Sequence, residues 1–162
     1  GARATASSAL AALGELDIVT STVAARRFGG PGSVVAASSR LGISIEQVLW
    51  SDRGAVLRAV SGADLVISTL PAGVADSLAE EMTVREGQVL LDVVYSPRET
   101  ALRSAFERNG GIVAEGTDML IFQAAAQVQL MTGRSPKTDV MRGALEAELA
   151  RRARPSGGGA AS

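Results

Sequence analysis

The sequence predicts an α/β fold, a parallel sheet with helices on both faces. Segments of strand character alternate with segments of helical character along most of the chain, and such alternation implies parallel strands joined by crossover helices. One segment, QVLLDVVY at 88–95, is almost continuously apolar, as expected of a strand covered on both faces. The chain has 162 residues and is 46% hydrophobic, enough for one domain with a sizeable core.

The elements follow in order. Residues 5–13 are Ala/Leu-rich and run into Gly14, which reads as a helix with a glycine stop. Residues 16–25 (LDIVTSTVAA) are rich in β-branched side chains and read as a strand. Arg26 and Arg27 follow, then the turn-forming FGGPG. Residues 33–41 read as a helix closed by Gly42, 43–50 as a strand and 52–60 as a short helix. Residues 63–70 (ADLVISTL) have a buried-strand pattern, 74–82 are helical, and 88–95 form the clearest strand. A helix at 98–109 is closed by Gly110 and Gly111 and precedes a short strand at 112–114. Two helices, 118–131 and 137–152, complete the pattern, and PSGGGAAS reads as a flexible tail.

Composition excludes several classes of function. Sixteen Lys+Arg against seventeen Asp+Glu give a net charge of −1, without the basic surplus of a nucleic-acid or membrane-surface protein. There is no cysteine, hence no disulfide framework and no thiolate metal site. There is no histidine, the commonest general base and metal ligand, and Lys137 is the only lysine. No apolar run reaches the ~18 residues of a membrane span, and no secretory signal is present, so the expected compartment is the cytoplasm.

The opening GARATASSALAALG has the form of a strand-to-helix turn in a dinucleotide-binding unit. There the pattern G-x-G-x-x-G/A lets backbone N–H groups approach a pyrophosphate at the helix N-terminus. Gly1 and Ala6 match the first and last positions, and Arg3 stands at the middle one. By itself the stretch reads more readily as an ordinary Ala-rich helix start. The next strand adds to it. A carboxylate at its end would bind the ribose 2′-OH of NAD, whereas an arginine accommodates the 2′-phosphate of NADP. Here the strand ends VAARR, with Arg26 and Arg27 and no carboxylate. Together these features predict a Rossmann-like parallel sheet that binds NADP.

Three later stretches point to a cleft. Ligands in open α/β sheets bind beyond the carboxyl ends of strands, which places Ser68, Thr69, Leu70 and Pro71 at its edge. In LLDVVYSPRETAL, Asp92 and Tyr95 lie near a strand end stopped by Pro97, and Tyr95 is the only tyrosine. In GTDMLIFQAAAQVQLMTG, Met119 and Gln123 are four residues apart on one helix face. An amide on so apolar a segment needs partners if it is buried.

The order D-V-V-Y-S-P-x-x-T, then G-x-x-M-L-x-x-Q-A, then M-R-x-A-L in the closing helix resembles the C-terminal, cofactor-binding half of the shikimate dehydrogenase family. The resemblance runs from Gly1 to about Leu149. It implies that Gly1, Ala2, Arg3, Ala4, Thr5 and Ala6 form the phosphate loop and that Arg26, with Arg27 beside it, recognises the 2′-phosphate. Ser68 to Pro71 would border the nicotinamide, Gly116 and Met119 would line its pocket, and Tyr95 and Gln123 would reach the substrate. Departures from the family pattern are Arg3 and Ala4 for two loop glycines, Ala25 and Arg27 for the asparagine and threonine flanking the arginine, and Ala101 for a proline.

The resemblance implies NADP as cofactor and the interconversion of shikimate and 3-dehydroshikimate. It implies residues 1–152 as one cofactor domain, with 153–162 as the tail. It also implies an upstream substrate domain that carries a catalytic lysine and aspartate. No residue here matches that pair, so no catalytic and no metal-binding residue is assigned. The expectation is thus a fragment lacking the first strand and the N-terminal substrate domain, inactive and unstable alone or associating through strand edges. Partners would be shikimate together with the upstream domain, with a homodimer left open and neither nucleic acid nor membrane involved. Two other readings stand beside this one: a non-catalytic nucleotide-binding remnant, and a quinate/shikimate dehydrogenase using NAD.

Overall fold

The computed structural model describes residues 1–18 and 20–153, so residues 154–162 of the expected tail lie outside them. The chain forms two compact units, one ending at Glu115 and one beginning at Gly116. The first contains α1 (Ala4–Glu15), β1 (Thr20–Ala25), α2 (Val34–Leu41), β2 (Ser44–Leu49) and α3 (Arg53–Gly62), then β3 (Leu65–Ser68), α4 (Asp76–Glu81), β4 (Val89–Asp92), α5 (Ala101–Arg108) and β5 (Ile112–Glu115). The second contains α6 (Gly116–Thr132) and α7 (Thr138–Ala153).

All strand pairs are parallel, in two sheets: β1 with β2, and β3-β4-β5. The register runs Thr20 opposite Ser44 to Ala25 opposite Leu49 in the first sheet. In the second, Leu65 lies opposite Val89 and Val89 opposite Ile112. α1 packs on α2, while α3, α4 and α5 pack in succession. Each group builds its own core. Leu90, Phe106, Leu102, Leu78 and Val56 lead the larger cluster, and Leu10, Val34, Ala37 and Ile43 the smaller.

Local chemistry sets the boundaries. Ser33 caps α2 through its hydroxyl, which accepts from Ala36 N–H at 3.4 Å, and Gly42 ends it in the left-handed region at φ 68°. Asp52 and Thr100 cap α3 and α5 in the same way. Gly14 is not the stop of α1, which runs on to Glu15. A Cβ at Gly14 would lie 2.8 Å from Ile43 Cδ1, so the glycine admits a close helix-to-strand approach. The expected strand from residue 16 is shortened for a related reason. Leu16, Asp17 (φ 60°) and Ile18 fold back in a turn, with Ile18 N–H donating to the Leu13 carbonyl at 3.0 Å. β4 likewise stops at Asp92, three residues before Tyr95. At its start, the buried Gln88 amide donates to the carbonyls of Val60 and Ala63 at 2.6 and 2.7 Å and so ties the end of α3 to β4.

Candidate functional site

The carboxyl ends of β1 and β3 and the start of α1 meet at one edge of the first unit. Gly1 joins them. Its amine donates to the Ala24 carbonyl at 3.0 Å, and a Cβ at this position would lie 2.5 Å from Thr69 Oγ1. A side chain there would crowd the Thr69 hydroxyl, which would have to turn away. Burial lowers the Gly1 ammonium from the ordinary amino range, because desolvation disfavours its charge. Ala2 is buried in the smaller core cluster, and its carbonyl accepts from Val34 N–H at 3.2 Å.

α1 then begins with Arg3 as its N-cap residue, extended at φ −105° and with no side-chain cap. The N–H groups of the first helical turn have no intrahelical acceptor. Ala4 and Thr5 are exposed, Ala6 is half-buried, and no acidic residue stands in the first turn. The loop after β1 folds against this helix start, since Ser7 Oγ donates to the Gly32 carbonyl at 3.2 Å. That loop carries Arg26 and Arg27 immediately after the last residue of β1, and both are exposed. The described residues at this edge therefore fit a phosphorylated anion: free donors at a helix N-terminus, the helix dipole behind them, and two guanidinium groups on the adjoining loop. Arg3 is exposed and adds a third cation at the helix start.

β3 ends at the buried Ser68, and Thr69 lies against Gly1. Leu70 packs on the larger core cluster, and Pro71 opens an exposed turn. The next strand end is organised by Asp92, which is 5% exposed. One carboxylate oxygen accepts from Thr100 Oγ1 at 2.8 Å and the other from Val94 N–H at 3.3 Å. Thr100 Oγ1 in turn accepts from Arg103 N–H at 3.1 Å as the cap of α5. The loop between, which presents the exposed Tyr95, is thus closed at both ends on one carboxylate. Arg98 pairs with Glu115 at 2.6 Å and fastens the same loop to the end of β5. The Asp92–Thr100 clasp was not assigned from the sequence. The signal was available in the D-x₇-T spacing between a strand end and a helix start.

In the second unit, Gly116 and Thr117 are buried at the start of α6, Met119 is half-buried and Gln123 is exposed. Exposure satisfies the Gln123 amide with water, so the expectation that a buried amide there would need protein partners does not hold. Arg142 pairs with Asp118 and ties α7 to α6. The structure thus brings Gly1 to Ala6, Arg26, Arg27 and Ser68 to Pro71 to one edge, places Tyr95 on the loop after β4, and carries Gly116, Met119 and Gln123 on the second unit. Lys137 is exposed just before α7. Among the described residues no group of His, Cys, Asp and Glu forms a metal site, and no helix is long and apolar enough to cross a membrane.

The model of the shikimate 5′-dehydrogenase C-terminal domain family matches residues 116–146. The shikimate dehydrogenase (NADP(+)) of Methanothermobacter thermautotrophicus is 36% identical over 97 residues, which cover 57% of this chain and 34% of that protein. The crystal structure of Mycobacterium tuberculosis shikimate dehydrogenase superposes with a TM-score of 0.74 at 35% identity, covering 88% of this chain and 53% of that one. The shikimate 5-dehydrogenase of Mycobacterium fortuitum gives a TM-score of 0.71 at 33% identity, covering 84% of this chain and 50% of that one. The chain therefore spans about a third of its curated relative and about half of each solved one.

Proposed function

As this chain belongs to the shikimate dehydrogenase family by its C-terminal domain, we propose that it is the NADP-binding half of an NADP-dependent shikimate dehydrogenase, residues 1–152 acting as the cofactor domain. The observation that carries this reading is the uncapped N-terminus of α1 beside Arg26 and Arg27, with no carboxylate at the end of β1. The first-turn N–H groups of α1 hold the pyrophosphate. The two arginines take the 2′-phosphate, through planar donor forks suited to it. Ser68, Thr69, Leu70 and Pro71 border the nicotinamide. For Gly116 and Met119 as cofactor residues, and Tyr95 and Gln123 as substrate residues, the support is the family resemblance alone. The cofactor supplies the hydride acceptor or donor for the interconversion of shikimate and 3-dehydroshikimate.

Proton transfer has no candidate among these groups. The chain has no histidine, and its one lysine, Lys137, lies in the link before α7. Asp92 is engaged by Thr100 and Val94. The acid/base pair therefore comes from a substrate domain outside this chain, and the chain alone is inactive. A second reading, a nucleotide-binding domain without catalysis, is favoured by Arg3 and Ala4 at two loop positions where the family has glycine. Joining the chain to a substrate domain of the family distinguishes the two: recovered shikimate oxidation supports the first, continued inertness the second.

Calorimetric titration with NADPH and with NADH tests the cofactor. Preferential binding of NADPH is expected. Arg26→Asp should weaken NADPH binding about 10- to 100-fold, the worth of a lost charge-assisted contact, and leave NADH binding nearly unchanged. Equal discrimination before and after the substitution would remove Arg26 from the 2′-phosphate site.

A further inference from the structure

The loop that leaves β1 is rich in glycine. Residues 26–33 read RRFGGPGS, with Gly30 at φ 105° and Gly32 at φ 68°. A Cβ at either position would meet nothing within 4 Å, so these glycines answer to backbone conformation and not to crowding. Such a segment loses much conformational entropy when it is held in one shape. Contacts along its length oppose that loss. Trp50 N–H donates to the Ala25 carbonyl at 2.9 Å where the loop begins, and Val34 N–H donates to the Ala2 carbonyl at 3.2 Å where it ends. Between them Phe28 packs on the smaller core cluster, and Ser33 N–H closes a turn on the Gly30 carbonyl at 3.2 Å.

A side chain of α1 adds a further tie. Ser7 is half-buried, and its hydroxyl lies 3.2 Å from the Gly32 carbonyl and 3.2 Å from the Arg3 carbonyl. The Arg3 carbonyl already accepts from Ser7 N–H at 3.0 Å, as the N-cap carbonyl of a helix does, which lets the hydroxyl serve the loop. One small side chain thus holds the N-cap of α1 and the far end of the arginine loop on a single oxygen. Arg26 and Arg27, at the near end, are exposed.

We propose that Ser7 is a positioning residue for cofactor selectivity, fixing the loop of Arg26 and Arg27 against the first turn of α1 so that both grip one dinucleotide at once. The inference rests on the cofactor reading above. A dinucleotide with a 2′-phosphate must engage the helix start and the two guanidinium groups together, and a loop ordered beforehand spares the cost of ordering it on binding. A dinucleotide without that phosphate calls on the helix start and makes no demand on the guanidinium groups. Loss of the tie therefore falls on NADPH and not on NADH. Gly32 is exposed, so water takes over its carbonyl when the hydroxyl is removed, and the effect is on loop order and not on an orphaned acceptor.

The test uses the chain itself, Ser7→Ala, Ser7→Thr and, as a control at the exposed neighbouring position, Ser8→Ala. Each is titrated with NADPH and with NADH by calorimetry, and amide hydrogen exchange is followed without cofactor. Ser7→Ala should weaken NADPH binding about three- to tenfold, the worth of one hydrogen bond, and change NADH binding by less than about twofold. Ser7→Thr, which keeps the hydroxyl, should restore NADPH binding, and Ser8→Ala should match the unaltered chain. The Ser33 amide should exchange at least about threefold faster in Ser7→Ala. The Leu90 amide, in β4 between β3 and β5, should be unchanged, which separates loosening of the loop from unfolding. An unaltered chain that prefers NADPH, with the same preference in Ser7→Ala, overturns the proposal and leaves the cofactor reading standing. An unaltered chain that does not distinguish the two cofactors overturns both. Equal losses for NADPH and NADH, a loss that Ser7→Thr does not rescue, or an unchanged Ser33 amide overturns the proposal alone.

Discussion

Asp92 uses both carboxylate oxygens on the loop that follows it, one on the Val94 N–H and one on the Thr100 hydroxyl. Removing a buried acceptor leaves the Thr100 hydroxyl and the Val94 N–H in search of partners. Asp92→Ala should cost about 2–3 kcal/mol in urea unfolding, and Asp92→Asn, which keeps one acceptor, about 1 kcal/mol. Gly1 depends instead on having no side chain. Gly1→Ala drives a methyl group into Thr69 Oγ1 and should cost about 1–3 kcal/mol. Thr69→Ala, which removes that oxygen, should recover most of the loss in the double variant, and additive effects would show that the two positions do not interact. The Gly1 environment was half legible: glycine at the head of the helix was expected for approach to a ligand, whereas the close approach the structure shows is to Thr69. The Asp92 clasp was left unassigned, because its D-x₇-T spacing becomes a contact only once the chain has turned back over eight residues.

At the scale of elements, legibility followed how local the causes are. α2 was readable at both ends because Ser33 and Gly42 act on their own helix. β4 was overextended to Tyr95 because VVY continues the apolar run, and the bend that ends the strand is made by a carboxylate. Gly14 was misread as a stop because its reason, Ile43, lies on another element. α7 carries a cause that is wholly local and titratable. The Arg151 and Arg152 guanidinium groups both bond Glu148 and hold its carboxyl at about 2, well below the ordinary 4.5. A depressed carboxylate contributes stability that is complete above about 4.5 and lost as pH falls through about 2. Helicity reporters at residues 145–152 should decline across that window. In an Arg151→Gln, Arg152→Gln double variant the Glu148 carboxyl, followed by NMR, should return toward 4.5.

For the molecule as a whole, the alternation of strands and helices was legible because it follows from the chain's hydrophobic periods, and the parallel pairing followed from it. The separation into two sheets was not read from the sequence, whose pattern implied one parallel sheet. Gly1 to Ala6, Arg26, Arg27 and Ser68 to Pro71 fell together because strand ends share one edge in this topology. The roles of Tyr95, Met119 and Gln123 came from resemblance alone, since spacing fixes a face but not what that face meets.

The division of the strands into two sheets also bears on the order of events in folding. β3, β4 and β5 are consecutive in the chain and pair neighbour to neighbour, and the helices between them supply much of the larger core cluster. Short loops close fastest, and contacts close in sequence make early nuclei. β1 and β2 close a second, separate turn of the same kind. No direct rung links the two sheets, so each can form on its own clock. A probe in β1 and a probe in β4 should then report separate folding events.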